Sequence, residues 1–205
     1  MSRLALALLL PALACSNLAA PSESNEPSSA GDVSQANGAP VTEDNPELLQ
    51  LVEADQADRE IETDDWGPIA ARDQQRRERV LALDQAGALR TANDFAHAAL
   101  IFQHGQDPAD YERAHAYADR AHALDPQHGL AAWLWAATKD RWLHSKGEPQ
   151  IYGTQHRMGE DGRWTLEPFD REAVSDEERA ALGVPSLAEA EAANDLHNLQ
   201  GAFRK

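Results

Sequence analysis

The run "LAAWLWAATKDRWLHSKG", Leu130 to Gly147, sets the tightest limit on what this chain can become. From Leu130 to Ala137 it is apolar around nearly the whole circumference of a helix, and a helix of that kind is expected to be buried. Asp140 and Arg141 then interrupt it. Adjacent residues on a helix point in different directions, Asp140 with Trp133, Ala136 and His144, Arg141 with Leu134 and Ala137, so the two charges cannot satisfy each other. Burying either one without a partner costs on the order of several kcal/mol. Each needs a partner of its own or a cleft, and His104 with the row Arg72, Arg76, Arg77 and Arg79 are the candidates. The run ends in "GEPQIYGTQ", where Gln150, Tyr152, Thr154 and Gln155 offer donors and acceptors without formal charge, and Gly147 and Gly153 permit sharp turns. That inventory suits recognition of a polar ligand such as a sugar or a peptide backbone. It equally suits capping of the helix end and bracing of whatever follows.

Helical patterns fill most of the chain upstream. Leu48, Leu49, Leu51 and Val52 open a helix whose later part, "EADQADRE", is strongly polar. The next, "WGPIAARDQQRRERVLALDQAG", has Pro68 suited to a first turn and Gly87 where helices stop. In "TANDFAHAALIFQHG" Phe95, Ala99 and Phe102 share a face, and in "DPADYERAHAYADRAHALDP" Tyr111, Ala114, Ala118, Ala121 and Leu124 do the same. Asp107–Pro108 and Asp125–Pro126 each read as an N-cap followed by proline at the first helical position. Thr91 to Pro126 resembles a tetratricopeptide-type helical hairpin, but a period of about 34 residues is not repeated three times, so a solenoid is not expected. "GEDG" between "QIYGTQHRM" and "RWTLEPF" predicts a two-stranded insertion at about 150–169. Capping boxes at Ser175–Glu178 and Ser186–Glu189 announce two further helices. The expected fold over residues 46–205 is mainly α: an antiparallel helical bundle with a tetratricopeptide-like hairpin and a small β insertion.

The first residues, "MSRLALALLLPALACSNLAA", carry one Arg and then an apolar run to Ala14. That run is shorter than the about 20 apolar residues a spanning helix takes, so residues 1–14 read as an export signal. "ALAC" resembles the bacterial lipobox, with Ala12 where Leu is usual, and competes with an ordinary Ala-x-Ala cleavage site. Cys15 is the only cysteine and has no disulfide partner within the chain, which favours its lipidation. Ser16 after it, by resemblance to Gram-negative lipoproteins, implies the periplasmic side of the outer membrane. Residues 15–45, poor in large apolar side chains, should form a disordered tether reaching on the order of 30 Å. A net charge of -17, with 18 basic against 35 acidic residues, argues against nucleic acid and makes a neutral or cationic ligand the better fit.

The familiar catalytic signatures are absent: no zinc-protease histidine pair, phosphate loop, dinucleotide fingerprint or Gly-x-Ser-x-Gly elbow. Asp94, His97, Ile101 and His104 share a helical stripe, yet Asp94 lies three residues after Thr91 and fits a capping-box acid, so neither a metal nor a cofactor is expected. Taken together, "DQADRE", "IFQHG", "DRWL" and "GEPQIYGTQ" resemble a bacterial family known only as a domain of unknown function, in which "QHG" and "YGTQ" are signatures. The resemblance covers about Leu48 to Leu187 and implies a shared fold without an activity. The expected function is a lipid-anchored envelope protein that binds a polar small molecule or peptide through Gln103, His104, Gln150, Tyr152, Thr154 and Gln155. One alternative is an envelope hydrolase in which His104 is acid or base, Asp140 orients it, and Arg141 or the amides stabilise developing negative charge. Another is a tetratricopeptide-like module for an envelope protein partner.

Overall fold

Asn45 begins the folded chain by accepting hydrogen bonds from the backbone N–H groups of Glu47 and Leu48, which starts α1 (Pro46–Arg59). The structure is a computed structural model in which residues 43–202 are described. The expected signal peptide, and the tether apart from its last three residues, lie outside the described residues. α2 (Gly67–Gln85), α3 (Ala92–Phe102), α4 (Pro108–Leu124) and α5 (Gly129–Ser145) follow. Then come β1 (Arg157–Met158), β2 (Trp164–Thr165), α6 (Asp176–Ala181) and α7 (Leu187–Ala202).

α3 is the central helix. Every residue from Asp94 to Phe102 is buried, and α1, α2, α4 and α5 all pack against it. Its small side chains, Ala96, Ala98 and Ala99, let neighbours approach from several sides, while Ala114, Ala118 and Ala121 do the same on α4. The gap between is filled by Phe95, Phe102 and Tyr117, whose rings lie 5.5 and 6.3 Å apart centroid to centroid. Each fully buried large apolar side chain contributes about 1.5–3 kcal/mol, so this seam dominates the stability of the bundle. α3 and α4 form the expected tetratricopeptide-like hairpin. Asp94 closes the predicted capping box with Thr91. Its carboxylate also accepts from the N–H of Asn45 at 2.7 Å and of Arg90 at 2.8 Å, tying the start of α1 to the start of α3.

Two expectations are corrected. Helix α5 buries Ala131, Ala132, Leu134, Ala136, Ala137, Thr138 and Asp140, but Trp133, Trp135 and Trp142 remain half-buried. Tryptophan is too large and too polar at its N–H to vanish easily, and Trp135 donates that N–H to Asp119 at 3.0 Å on the surface. Asp125–Pro126 does not cap α5 either. Asp125 ends α4 and accepts from Gln127 N–H in a local turn, while His128 supplies the cap through Nδ1 to Ala131 N–H. The insertion is as small as predicted, with Arg157 facing Thr165 and Met158 facing Trp164. It leads to a second, smaller core of Leu166, Phe169 and Ala190 beside Tyr152, Ala136 and Val184.

Candidate functional site

Asp140 and the loop after α5 form one polar cluster. The Asp140 carboxylate, fully buried, accepts from the N–H of Ile151 at 2.8 Å, of Tyr152 at 3.0 Å and of Thr154 at 3.0 Å, and from the Thr154 hydroxyl at 2.8 Å. The opposite edge of the loop is held by Arg179 of α6, 1% exposed, whose guanidinium donates to the carbonyls of Tyr152 at 3.2 Å and Ile151 at 3.4 Å. The loop's amides therefore point at an anion and its carbonyls at a cation. Gln150 donates Nε2 to the carbonyls of Gln155 and Leu166 and accepts from Gln155 N–H, while Gln155 donates to the Ala137 carbonyl at 3.2 Å. Gly153 has φ +81°, and a Cβ there would lie 2.9 Å from the Phe169 ring, so only glycine fits without a shift. Tyr152 is buried with its ring tilted against Trp135. Burial, with Asp140 and Glu178 nearby, raises its phenol above the ordinary value.

His104 lies in a different cluster. "QHG" ends α3 against the first turn of α4: a Cβ on Gly105 would sit 2.1 Å from the Asp110 Cβ, and Tyr111 donates its hydroxyl to the Gly105 carbonyl at 2.9 Å. The His104 Nδ1 is 3.1 and 3.0 Å from the two oxygens of Asp55, which is fully buried on α1. His104 and Asp140 make no hydrogen bond with each other, so the expected orienting pair is replaced by His104 with Asp55. Burial lowers the His104 imidazolium, against the pull of Asp55 and with the help of the Arg59 and Arg141 charges. With Nδ1 turned to Asp55, Nε2 is the ring's other hydrogen-bonding position and is bonded to no described residue. Burial works to raise the Asp55 carboxyl, but the bond and the charge of His104, and then the charge of Arg59, outweigh it and hold the carboxyl below its ordinary range.

A network of ion pairs extends from Asp55. Arg59 bonds Asp55 at 3.1 Å and Asp73 at 2.7 Å, and Arg76 bonds Asp58 and, at 2.8 Å, Asp73. Arg72 holds Asp58, whose carboxyl falls to about 2 mainly through that hydrogen bond. The arginine row proposed as partner for Asp140 thus pairs elsewhere: Arg72 and Arg76 with α1, Arg77 with Asp110 at 3.3 Å, and Arg79 with Glu47. Arg141 is placed differently from all of them. Its Nη1 donates to the Gln103 carbonyl at 3.1 Å, and it makes no ion pair with a described residue. Burial, with Arg59 adding like charge, pushes its guanidinium below the ordinary value.

The family model that matches the chain, over residues 42–199, is that of a family of unknown function. The chain belongs to DUF6624. No curated protein and no solved structure matches it. The DUF6624 domain begins at the point where Asp44 accepts from Thr91 and Asn93, at 2.6 and 2.7 Å, so the family match and the folded unit share an N-terminal edge. Among its described residues no helix is long and apolar enough to cross a membrane.

Of the predicted ligand residues, the DUF6624 domain brings Gln150, Tyr152, Thr154 and Gln155 together around Asp140, and Gln103 and His104 together with Arg141. Sequence reading missed Asp55, Arg59 and Arg179. "DQADR" spaced acids and a base at three and four residues, opposite an α2 rich in arginine, and that match was the available signal for the first two. Nothing in "SDEERAA" distinguishes Arg179 as a buried residue.

Proposed function

We propose that the chain is an exported lipoprotein, anchored through Cys15 at the periplasmic side of the outer membrane, whose helical domain binds a polar small molecule where Gln103, His104, Arg59 and Arg141 meet. The uneven use of buried polar groups carries the ligand reading. No buried side-chain atom of Asp140, Gln150, Thr154 or Gln155 lacks a partner, whereas Arg59 Nε, Gln103 Oε1 and Arg141 Nε all do. Native proteins leave few buried polar atoms unpaired, and of the five such atoms among the described residues, His122 Nδ1 and His144 Nε2 stand apart while the other three lie on residues that meet at a half-buried face, which favours a ligand as the missing partner. The binding residues of this reading are Gln103, His104 and Arg141; Gln150, Tyr152, Thr154 and Gln155 support them by fixing α5. The anchor rests on "ALAC" and the unpaired cysteine.

The test is thermal stability of the full chain across sugars, peptidoglycan fragments and short peptides, with the parent and His104→Ala. At least one compound should raise the melting temperature of the parent and leave that of the variant unchanged. If every stabilising compound acts equally on both, the His104 face is not the site.

The His104–Asp55 bond favours a second reading, acid–base chemistry. A neutral imidazole oriented through Nδ1 leaves Nε2 able to take a proton from water, as an envelope hydrolase would need, with Arg141 available to developing negative charge. No nucleophilic side chain is bonded to His104, so the attacking group would be that water. Turnover of any compound found by the stability screen, lost in both His104→Ala and Asp55→Asn, separates this reading from binding alone.

A further inference from the structure

Arg141 lacks a counter-ion in a chain that has acids to spare. Asp and Glu outnumber Lys and Arg by 35 to 18, and the buried arginines Arg76, Arg77 and Arg179 each pair with a carboxylate. Arg141 is half-buried on α5 and makes no ion pair with any described residue. Its donors are not all idle, since Nη1 is bound to the Gln103 carbonyl. What remains is the edge made by Nε, buried without a partner, and Nη2, which has no acceptor among the described residues. That edge presents two parallel N–H donors, the geometry that receives two oxygens of one carboxylate or phosphate. The surroundings add to it. Arg59, whose Nε is likewise unpartnered, shares the Asp55 carboxylate with His104, the residue after Gln103. The nearby Asp55 carboxylate is taken by His104 and Arg59, and the Tyr111 hydroxyl is donated to Gly105.

We infer that the Nε and Nη2 edge of Arg141 is the receptor for an oxyanion, a carboxylate or phosphate group carried by the small polar molecule bound beside His104. The inference rests on the reading that this face binds such a molecule, and it names the chemical class. It departs from the expectation that an acidic chain takes a neutral or cationic ligand. The net charge of -17 describes the whole surface, and much of it is screened by salt over about 8–10 Å, whereas the partly buried Arg59 and Arg141 act on a ligand in contact with them. His104, held through Nδ1 by Asp55, keeps Nε2 for a hydroxyl or amide of the same molecule.

The full chain is titrated at constant ionic strength, balanced with chloride, with inorganic phosphate, acetate, and the neutral compounds glucose and N-acetylglucosamine. Binding is read by the melting temperature and by the nitrogen-15 resonance of the arginine Nε–H groups. Phosphate or acetate should shift one Nε–H resonance and stabilise the parent, and the apparent affinity should fall at least tenfold in Arg141→Met and in Arg141→Lys, which keeps the charge but not the two-donor edge. Arg79→Met, at an exposed pair with Glu47, should bind as the parent does. A response to phosphate alone, or to acetate alone, upholds the inference and identifies the oxyanion. Binding of a neutral sugar with no response to either anion overturns the inference while leaving the ligand reading intact. No response to any of the four probes overturns the inference, and the ligand reading then stands or falls on the wider screen of sugars, peptidoglycan fragments and peptides. An anion effect that persists in Arg141→Met, or an unchanged Nε–H spectrum in the parent, assigns the anion elsewhere and also overturns it.

Discussion

Asp140 and Arg141 are neighbours in sequence and opposites in use. The carboxylate of Asp140 is saturated by three backbone N–H groups and a hydroxyl, all from Ile151 to Thr154. The guanidinium of Arg141 has one protein acceptor and a buried Nε with none. Both break an apolar helix, and composition alone gives them equal standing as functional candidates. What separates them is the accounting of hydrogen bonds: a closed cluster holds a loop, and an open one is short of a partner. Polarity buried in a core therefore says little until its acceptors and donors are matched one by one.

The largest effect should come from opening the closed side. Asp140→Ala leaves the buried N–H groups of Ile151, Tyr152 and Thr154 without an acceptor, at about 1–3 kcal/mol each. A loss of about 4 kcal/mol or more is expected in urea unfolding followed by circular dichroism, which is a large share of the about 5–15 kcal/mol that holds a domain together. A loss below about 1 kcal/mol would mean that the loop finds other acceptors and the cluster is not the clamp described. Gly153→Ala comes next. The positive φ and the 2.9 Å approach to Phe169 should together cost about 2–3 kcal/mol by the same measurement, through strain and displacement of the small core. Retention of full stability would show that Phe169 yields freely.

How much of this contrast was legible beforehand depends on range in sequence. Local chemistry was readable: Thr91, Asp107, Ser175 and Ser186 all lie where helices start, and "GEDG" turns the β pair. Asp125–Pro126 misled because an Asp accepting from the second residue after it builds a turn as readily as a helix start. That Asp140 needs a partner was legible but the partner was not: His104 and the arginines were expected, whereas backbone N–H groups of "IYGT", eleven to fourteen residues away, supply the donors. The partner of His104 was not. Asp55 is 49 residues earlier, in a stretch that reads as the solvated side of a helix, and only the packing of α1 on α3 brings the two together. Arg179 was invisible for the same reason, being recruited by backbone carbonyls that carry no sequence signature.

Acid should act through imidazoles, of which His104 lies on the open side, while the hydrogen bonds of the Asp140 cluster include none. His97, His104, His115 and His144 are all pushed below their ordinary value, by burial first, and His115 falls to about 4. A histidine with a depressed folded value holds fewer protons in the folded state than in the unfolded one. Its contribution is therefore complete above about pH 6.5 and is lost as pH falls toward the folded value. Between pH 7 and 5 the loss should reach about 1–2 kcal/mol once solvent screening at the half-buried His104, His115 and His144 is discounted. Urea midpoints across that range measure it, and His104→Gln should flatten part of the slope. A flat profile in the parent would mean that the rings stay solvated enough to titrate normally.

The smallest effect should come from Arg141 itself. Arg141→Met keeps length and apolar stem, removes a half-buried charge that no described carboxylate balances, and leaves only the Gln103 carbonyl without its donor. Relief of desolvation and loss of that bond oppose each other, so the net change should stay within about 1 kcal/mol in either direction. A double-mutant cycle with Asp140→Ala should show coupling below about 0.5 kcal/mol, since the two side chains share no partner despite adjacency. If Arg141→Met instead destabilises the fold as much as Asp140→Ala does, its guanidinium is a structural brace. The distinction between a closed and an open cluster on α5 would then fail at the residue that defines it.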